Sequence, residues 1–432
     1  MHEVEFMEEM NRVDCMSMAG WIDFADLFWR RFLFLCNGLR AIIRYDPVWP
    51  DSVSSLIPLT SHENTSTYCM KNFVQLIGRY WSLYSPFFAA LVLAVSFWGP
   101  AHLLFILTTV VALLLAVTAA VHHAEVIAQR VGEPYGTLVL ALAVTVIEVA
   151  LIISLMLANP EKAATLPRDT VYSAVMIICN GVVGLCVLIG GLHHREQTFR
   201  IEGTGSGFAA LATLSVLVLV LPTFTISLAG SHYTDAQLIF VALSSLSLWL
   251  VFVFIQTVRH RDYFLPQESR DDENVHAAPP SVGEAWVSFG LLMVALLSVV
   301  GIAKFLSPTV ERLVAQASAP KAVVGIIIAM IVLLPETWAA MRAARANRLQ
   351  TSMNLAIGSA LASIGLTIPA VVLAVVWLDL PLLIGLDNKD IALLVLSFIV
   401  GSITLGSGRT NVMQGAVHLV IFAAFLFLTL VP

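Results

Sequence analysis

From about residue 84 to its end the chain is a succession of apolar runs separated by short polar connections. The runs fall at 84–98, 101–121, 136–158, 171–192, 208–229, 236–258, 285–303, 322–345, 352–378, 391–408 and 411–431. Most hold about 18 to 24 residues, enough for a helix to cross a ~30 Å hydrocarbon layer. The pattern predicts about eleven membrane-spanning helices. One connection is longer and polar: between Arg259 and Glu284, the carboxylates Glu268, Asp271, Asp272 and Glu273 precede Pro279 and Pro280. It divides the last ten runs into five and five.

Residues 1–80 follow a different pattern. Arg30, Arg31, Arg40 and Arg44 interrupt the apolar stretch from Phe24 to Tyr45, and Pro47, Pro50 and Pro58 follow. Arginine is costly inside a bilayer, so an interfacial or disordered extension is expected there. The organisation expected is an extension over 1–80, an extra helix at 84–98, a first five-helix half at 101–259, an acidic linker at 260–284 and a second half at 285–432.

Composition agrees with the pattern. Of 432 residues, 58% are hydrophobic and only 12% charged, against roughly 25% charged in soluble domains. Mean hydropathy is +0.87. A soluble enzyme is excluded, and a net charge of −6 gives no basic field for nucleic acid. The partners expected are the lipid bilayer and inorganic cations. Cys179 and Cys186, two turns apart in one run, read as small apolar helix residues, and the N-terminus lacks the pattern of a cleaved signal.

Charge placement sets topology. With the N-terminus cytoplasmic, the inner connections hold Arg130, Arg195, Arg200, Arg259, Arg261, Arg270, Arg342, Arg345, Arg348 and Arg409. The outer ones hold Lys162, Arg168, Lys304, Arg312, Lys321 and Lys389. This excess places the acidic linker inside and the C-terminus outside. Because five is odd, the halves run in opposite orientations. The expected fold is all-α and polytopic, one extra helix plus two inverted five-helix repeats, an architecture of secondary transporters.

Two carboxylates remain deep within the runs: Glu148 and Glu336, each in the second helix of its half. A central acidic side chain costs at least about 2.5–3.5 kcal/mol on insertion scales, so it should face the protein interior. Two at equivalent places in opposed halves can meet at the midplane. Carboxylate oxygens suit Ca²⁺, Mg²⁺, Na⁺ or protons. Without a cation beside it, a carboxylate in a low-dielectric interior is more stable protonated. Occupation by cation or by protons, never both, is the minimal basis of cation/proton exchange. Glu148 and Glu336 are therefore the expected cation, metal and proton ligands, and no cofactor or catalytic residue is expected.

The flanks suggest broken helices. Gly132, Pro134 and Gly136 open the Glu148 helix, and Pro335 precedes Glu336, removing a backbone donor. The following helices offer small and polar residues: Ser173, Asn180 and Gly181 in one half, Asn354, Gly358, Ser359, Ser363 and Thr367 in the other. Ser173, Asn180, Asn354, Ser359 and Ser363 are candidates for a cation shell. His122 and His123, ahead of Glu125, are candidates for pH sensing; neighbours on a helix point about 100° apart and make poor joint ligands. His418 in the last run reads as a packed, hydrogen-bonded histidine.

Four segments together resemble the bacterial sodium–calcium/proton antiporter group of the Ca²⁺/cation antiporter superfamily, close to the Ca²⁺/H⁺ exchangers. They are Gly132-Glu133-Pro134-Tyr135-Gly136 leading to Glu148, Leu334-Pro335-Glu336, Met353-Asn354-Leu355 with Gly358-Ser359, and Gly408-Arg409-Thr410-Asn411-Val412. The resemblance covers roughly residues 84–432. It implies signature regions at 132–192 and 322–372, a bacterial inner-membrane location, and Ca²⁺ efflux against protons by alternating access at Glu148 and Glu336. The amide often placed ahead of each acid in that superfamily is missing, with Val144-Thr145 and Leu333-Leu334 in its place. Exchange of Na⁺ or K⁺ on the same site is the alternative that this departure raises. A cation channel is less expected, for want of a repeated filter motif. An enzyme is not expected, because HExxH, P-loop and GxSxG motifs are absent.

Overall fold

In a computed structural model, the described residues are 65–97, 102–132, 135–158, 160, 163–228, 230, 232–264, 280–316 and 320–431. Most of the N-terminal extension, Pro134 and the acids of the linker, Glu268 and Asp271 to Glu273, lie outside them. The chain divides into residues 1–71, of which 65–71 are the start of a helix, and residues 72–432.

Eleven helices follow one another among the described residues: α1 (Thr65–Ser96), α2 (Leu103–Val131), α3 (Tyr135–Ala158), α4 (Leu166–His194), α5 (Ile201–Phe224), α6 (Asp235–Arg259), α7 (Val282–Gln316), α8 (Ala322–Arg345), α9 (Leu349–Leu378), α10 (Asn388–Gly406) and α11 (Val412–Leu430). Nine of them are long and apolar enough to span a bilayer, and α1 and α3 hold the shorter apolar stretches Trp81–Ser96 and Ala141–Leu157. All eleven predicted runs are helices.

The helix ends follow from local chemistry. Gly132 closes α2 with φ 77°, a conformation that glycine adopts without penalty, and its N–H bonds the Ala128 carbonyl at 3.0 Å. Reciprocal capping boxes start α6 (Thr234 with Gln237) and α11 (Asn411 with Gln414).

Three expectations change. Pro335 does not break its helix: α8 runs continuously through it, as neighbouring helices and local adjustment allow in membranes. Gly136 lies within the first turns of α3 rather than at a break. The interruptions fall instead in α4, α5 and α6, as π-helical segments at Ile177–Val182, which carries Asn180 and Gly181, Val216–Val220 and Ile255–Arg259.

The two halves, α2–α6 and α7–α11, pack by exchange. α2 packs on α7; α3 packs on α9 as α8 packs on α4; α4 packs on α11 as α9 packs on α6. α2 runs antiparallel to α7, and α5 to α10. Phe105 near the start of α2 meets Phe305 of α7 at 5.8 Å between ring centroids, while Arg130 near its end bonds the Pro280 carbonyl at 3.3 Å. At one end of α5, Phe199 N–H bonds the Gly408 carbonyl at 3.0 Å, and at the other Leu386 N–H bonds the Leu219 carbonyl at 2.8 Å. Between these halves the only strand pair among the described residues, β1 (Gln197–Thr198) and β2 (Arg409–Thr410), runs antiparallel.

The third helix of each half is the most enclosed of its half, α4 with 78% and α9 with 56% of its apolar window buried. Between membrane helices there is little hydrophobic drive, so close contact rests on small residues. α4 and α11 meet in this way: a Cβ added to Gly415 would lie 2.6 Å from the Leu188 nitrogen. Large apolar side chains such as Leu373, Ile403, Val420 and Phe427 are exposed on the helices, as a lipid-facing surface requires.

Candidate functional site

α3 carries Glu148 into the interior, where it is 3% exposed. Its partners come from α9. Ser363 Oγ donates to Glu148 Oε1 at 2.8 Å and lies 3.0 Å from Oε2, and Thr367 Oγ1 donates to Oε2 at 2.9 Å. Ser363 and Thr367 are four residues apart, hence on one helix face. Hydroxyl donors to a carboxylate are charge-assisted when it is ionised.

Glu336 on α8 is held differently. Its Oε2 is buried and has no hydrogen-bond partner. A buried polar atom without a partner costs about 1–3 kcal/mol, more when charged, so such an oxygen invites a proton or a cation. Glu125 and Glu148 both lie within electrostatic reach of Glu336, and Arg342 within reach of Glu125.

One cavity of about 410 Å³ joins these groups. Glu148, Glu336, Thr145, Gln256, Asn354, Ser359 and Ser363 contribute its polar lining, with Trp249, Phe252 and Phe264 beside them. On α9 the lining runs from Thr351 to Ser363, about 18 Å at helical rise. Past Ser363 the helix is closed in: Thr367, Ile368 and Val371 are fully buried.

The structure thus brings together Glu148, Glu336, Asn354, Ser359 and Ser363 of the sequence candidates. It separates Ser173 and Asn180, which do not line the cavity. Ser173 Oγ donates to the Asp169 carbonyl at 2.5 Å. Asn180 Nδ2 donates to Ser397 Oγ at 2.8 Å, and its Oδ1 lies 3.2 Å from His418 Nδ1. His418 Nε2 meets Thr404 Oγ1 at 3.1 Å, so this histidine is packed and hydrogen-bonded. The π segment turns the amide of α4 toward α10 and α11, an orientation that helical periodicity does not foresee.

His122 and His123 face α1. His123 Nε2 donates to the Ser82 carbonyl at 2.9 Å, which leaves Nδ1 as a buried acceptor without a partner. The His122 ring lies 5.6 Å from that of Trp81. Among the described residues no group of three His, Cys, Asp or Glu side chains forms a metal cluster, so a cation in the cavity would rely on Glu148 and Glu336 with hydroxyl and amide oxygens.

Thr145, Gln256 and Glu125 were not among the sequence candidates. Thr145 sits one turn before Glu148, and Gln256 is the one amide between Leu248 and Val258. Both were visible as polar interruptions of apolar runs. Glu125 was hidden because α2 continues to Val131, about ten residues past the apolar run.

Comparison with known proteins follows the same lines. A profile of the family described as sodium/calcium exchanger protein matches residues 101–258 and 287–431, stretches that coincide with the two five-helix halves. The putative ionic transporter y4hA of Sinorhizobium fredii is 45% identical over 362 residues, which cover 82% of this chain and 96% of that protein. The sodium-potassium/proton antiporter ChaA of Escherichia coli is 36% identical over 351 residues, covering 79% and 94%. Among solved structures, the Ca²⁺/H⁺ antiporter YfkE aligns with TM-score 0.60 at 13% identity over 81% of this chain and 99% of that one. The H⁺/Ca²⁺ exchanger CAX aligns with TM-score 0.59 at 14% identity, over 81% and 88%. At such identities these two likenesses speak for the fold.

Proposed function

The chain belongs to the sodium/calcium exchanger protein family, and from that premise we propose that it is a secondary cation/proton antiporter with Glu148 and Glu336 as its shared binding site. One observation carries the reading. The two glutamates come from the second helix of each half and line the same cavity, where one keeps an oxygen without a protein partner. Two bare carboxylates in a low-dielectric interior repel one another and lose hydration. The site is therefore stable with a cation between them or with protons on them, and the cation and proton movements are coupled by that exclusion.

Ca²⁺ leads among the cargoes, because two carboxylates neutralise one divalent ion and two protons restore the same charge. Hydroxyl oxygens of Ser363 and Ser359 are the further hard donors at hand, while the Asn354 side-chain oxygen already accepts from Gln350. A second reading, Na⁺ or K⁺ against protons, is favoured by the 36% identity to a protein named sodium-potassium/proton antiporter.

The cavity follows α9 from the Glu148 level toward the helix ends that carry Arg200, Arg259, Arg345 and Arg348. The clustering of arginines on that face supports its placement on the cytoplasmic side of a bacterial inner membrane. On that placement the cavity belongs to an inward-facing state, and alternating access requires the closed stretch around Thr367 and Val371 to part in the other state.

The test is transport in everted vesicles with a preset pH gradient. Added Ca²⁺ should dissipate the gradient, and Glu148→Gln and Glu336→Gln should each abolish the response. Full exchange in both variants overturns the site. A response to Na⁺ or K⁺ but not to Ca²⁺ selects the second reading.

A further inference from the structure

The cavity ends on a short segment that the proposed exchange does not by itself require. Beyond α6, residues 260–264 turn back across the ends of three helices. Arg261–Tyr263 form one 3₁₀ turn, with Tyr263 N–H bonded to the His260 carbonyl and Phe264 N–H to the Arg261 carbonyl, each at 3.0 Å. This strap is tied down at three points. From α5, Arg200 Nη1 donates to the Asp262 carbonyl. From α9, Asn354 Nδ2 donates to the Phe264 carbonyl at 2.6 Å. From α6, the Phe252 ring meets the Phe264 ring edge-on, 5.9 Å between centroids at 84°.

The fit is close as well as bonded. A Cβ added to Gly203 of α5 would lie 2.5 Å from the Tyr263 carbonyl oxygen, so the strap backbone rests directly on that glycine. Phe264 is 7% exposed and lines the cavity together with Asn354 and Gln256. Asn354 is wholly engaged in this arrangement: its Oδ1 accepts from Gln350 Nε2 at 2.9 Å, and Gln350 Oε1 accepts from Arg200 N–H at 2.6 Å. A continuous polar chain thus links the α5 start, two amides of α9 and the strap.

We propose that the strap 260–264 is a gate on the path between the arginine-bearing face and the two glutamates, with Phe264 as its gate residue and Asn354 as its latch. Docked, Phe264 narrows the mouth and the Asn354 amide is spent on the strap. Undocked, the mouth widens and the Asn354 amide is released to face the path. The direction of cation flow rests on the antiport reading, but the gating of the cavity does not.

The experiment reads accessibility rather than transport. In the full chain with Cys15, Cys36 and Cys69 replaced by serine, Gly358→Cys places a thiol in the cavity, where an added Cβ meets nothing within 4 Å. A charged thiol reagent is applied to everted vesicles and its reaction rate measured. Phe264→Ala should raise that rate about fivefold or more by shifting the docked population. Gly203→Ala, whose added Cβ would crowd the Tyr263 carbonyl at 2.5 Å and the Phe264 ring at 3.2 Å and so displace the strap while the Phe264 side chain is kept, should raise it likewise. An unchanged rate in folded Phe264→Ala overturns the gate; if that variant does not fold, Gly203→Ala decides in the same way. Failure of the antiport reading shows separately, as a wild type in which neither Ca²⁺ nor Na⁺ nor K⁺ dissipates the preset pH gradient.

Discussion

Ser363 and Glu148 are joined across the α3–α9 contact by a hydroxyl that reaches both carboxylate oxygens, at 2.8 and 3.0 Å. The pair belongs to opposite halves of the chain, 215 residues apart. Glu148 is thus oriented by a helix from the other half, and any sliding of one half past the other must remake this contact. Such a contact is what alternating access needs, since the bond differs between the two states while the helices themselves persist.

Removing that hydroxyl should therefore affect binding before it affects folding. Ser363→Ala takes away a charge-assisted donor, worth about 1.5–3 kcal/mol, or roughly tenfold or more in affinity. The half-saturating cation concentration in the vesicle assay should rise by about that factor. Thr367→Val should act in the same direction, and the double variant should exceed either one. Unaltered saturation in both single variants would argue against Glu148 as a ligand.

The two glutamates should differ in what their loss does to the fold. Glu336 has an oxygen without a partner, whereas Glu148 has Ser363 and Thr367. Without cation, Glu336→Gln should melt at or above the wild-type temperature, because a neutral amide relieves a buried unpaired carboxylate. Glu148→Gln should melt lower, since an amide nitrogen then faces hydroxyl donors. With saturating cation the wild type should gain about 2.7 kcal/mol at one hundred times Kd. Both variants should lose that gain. Melting of the purified protein in detergent, with and without cation, measures all of this.

How much of this was legible follows from what each signal depends on. Length and apolarity predicted eleven helices, nine of them long and apolar enough to span among the described residues, because a bilayer sets the length of a helix whatever its neighbours. Glu148 and Glu336 stood out because acids are costly at that depth. Asn180 could not be placed, since a π segment in α4 rotates it toward Ser397 and His418, and no local pattern encodes that turn. Pro335 read as a break, yet α8 continues through it. The partnership of Asn354 with Phe264 joins positions 90 residues apart and depends on packing alone.

The Asn180–His418 pair should behave as structure rather than as site. Asn180 bonds Ser397 and His418, and His418 bonds Thr404, all within the contacts of α4, α10 and α11. His418→Leu leaves the Asn180 oxygen and the Thr404 hydroxyl buried without partners, at about 1–3 kcal/mol. The melting temperature should fall, while the half-saturating cation concentration of the protein that remains folded stays within about twofold. Asn180→Leu combined with His418→Leu should cost less than the sum of the single changes, because each removes the other's stranded partner. A strict sum in that cycle would show that the two side chains do not interact.

Two glycines separate packing from passage. Gly325 of α8 rests against α4, where an added Cβ would lie 2.8 Å from the Asp169 carbonyl carbon and 2.9 Å from the Thr170 nitrogen. Backbone cannot yield as a flexible side chain does, so Gly325→Ala should lower the melting temperature in spite of the better helix former. Gly358 of α9 faces the cavity with nothing within 4 Å of an added Cβ. Gly358→Ala should therefore stabilise the protein by about 0.4–1 kcal/mol through the loss of unfolded-state freedom. Gly358→Met fills the same space with a longer side chain on the path to Glu148. It should keep the fold, as read by melting, and lose most exchange, as read by gradient dissipation. Wild-type exchange by a folded Gly358→Met protein would show that cations reach the glutamates by some other path.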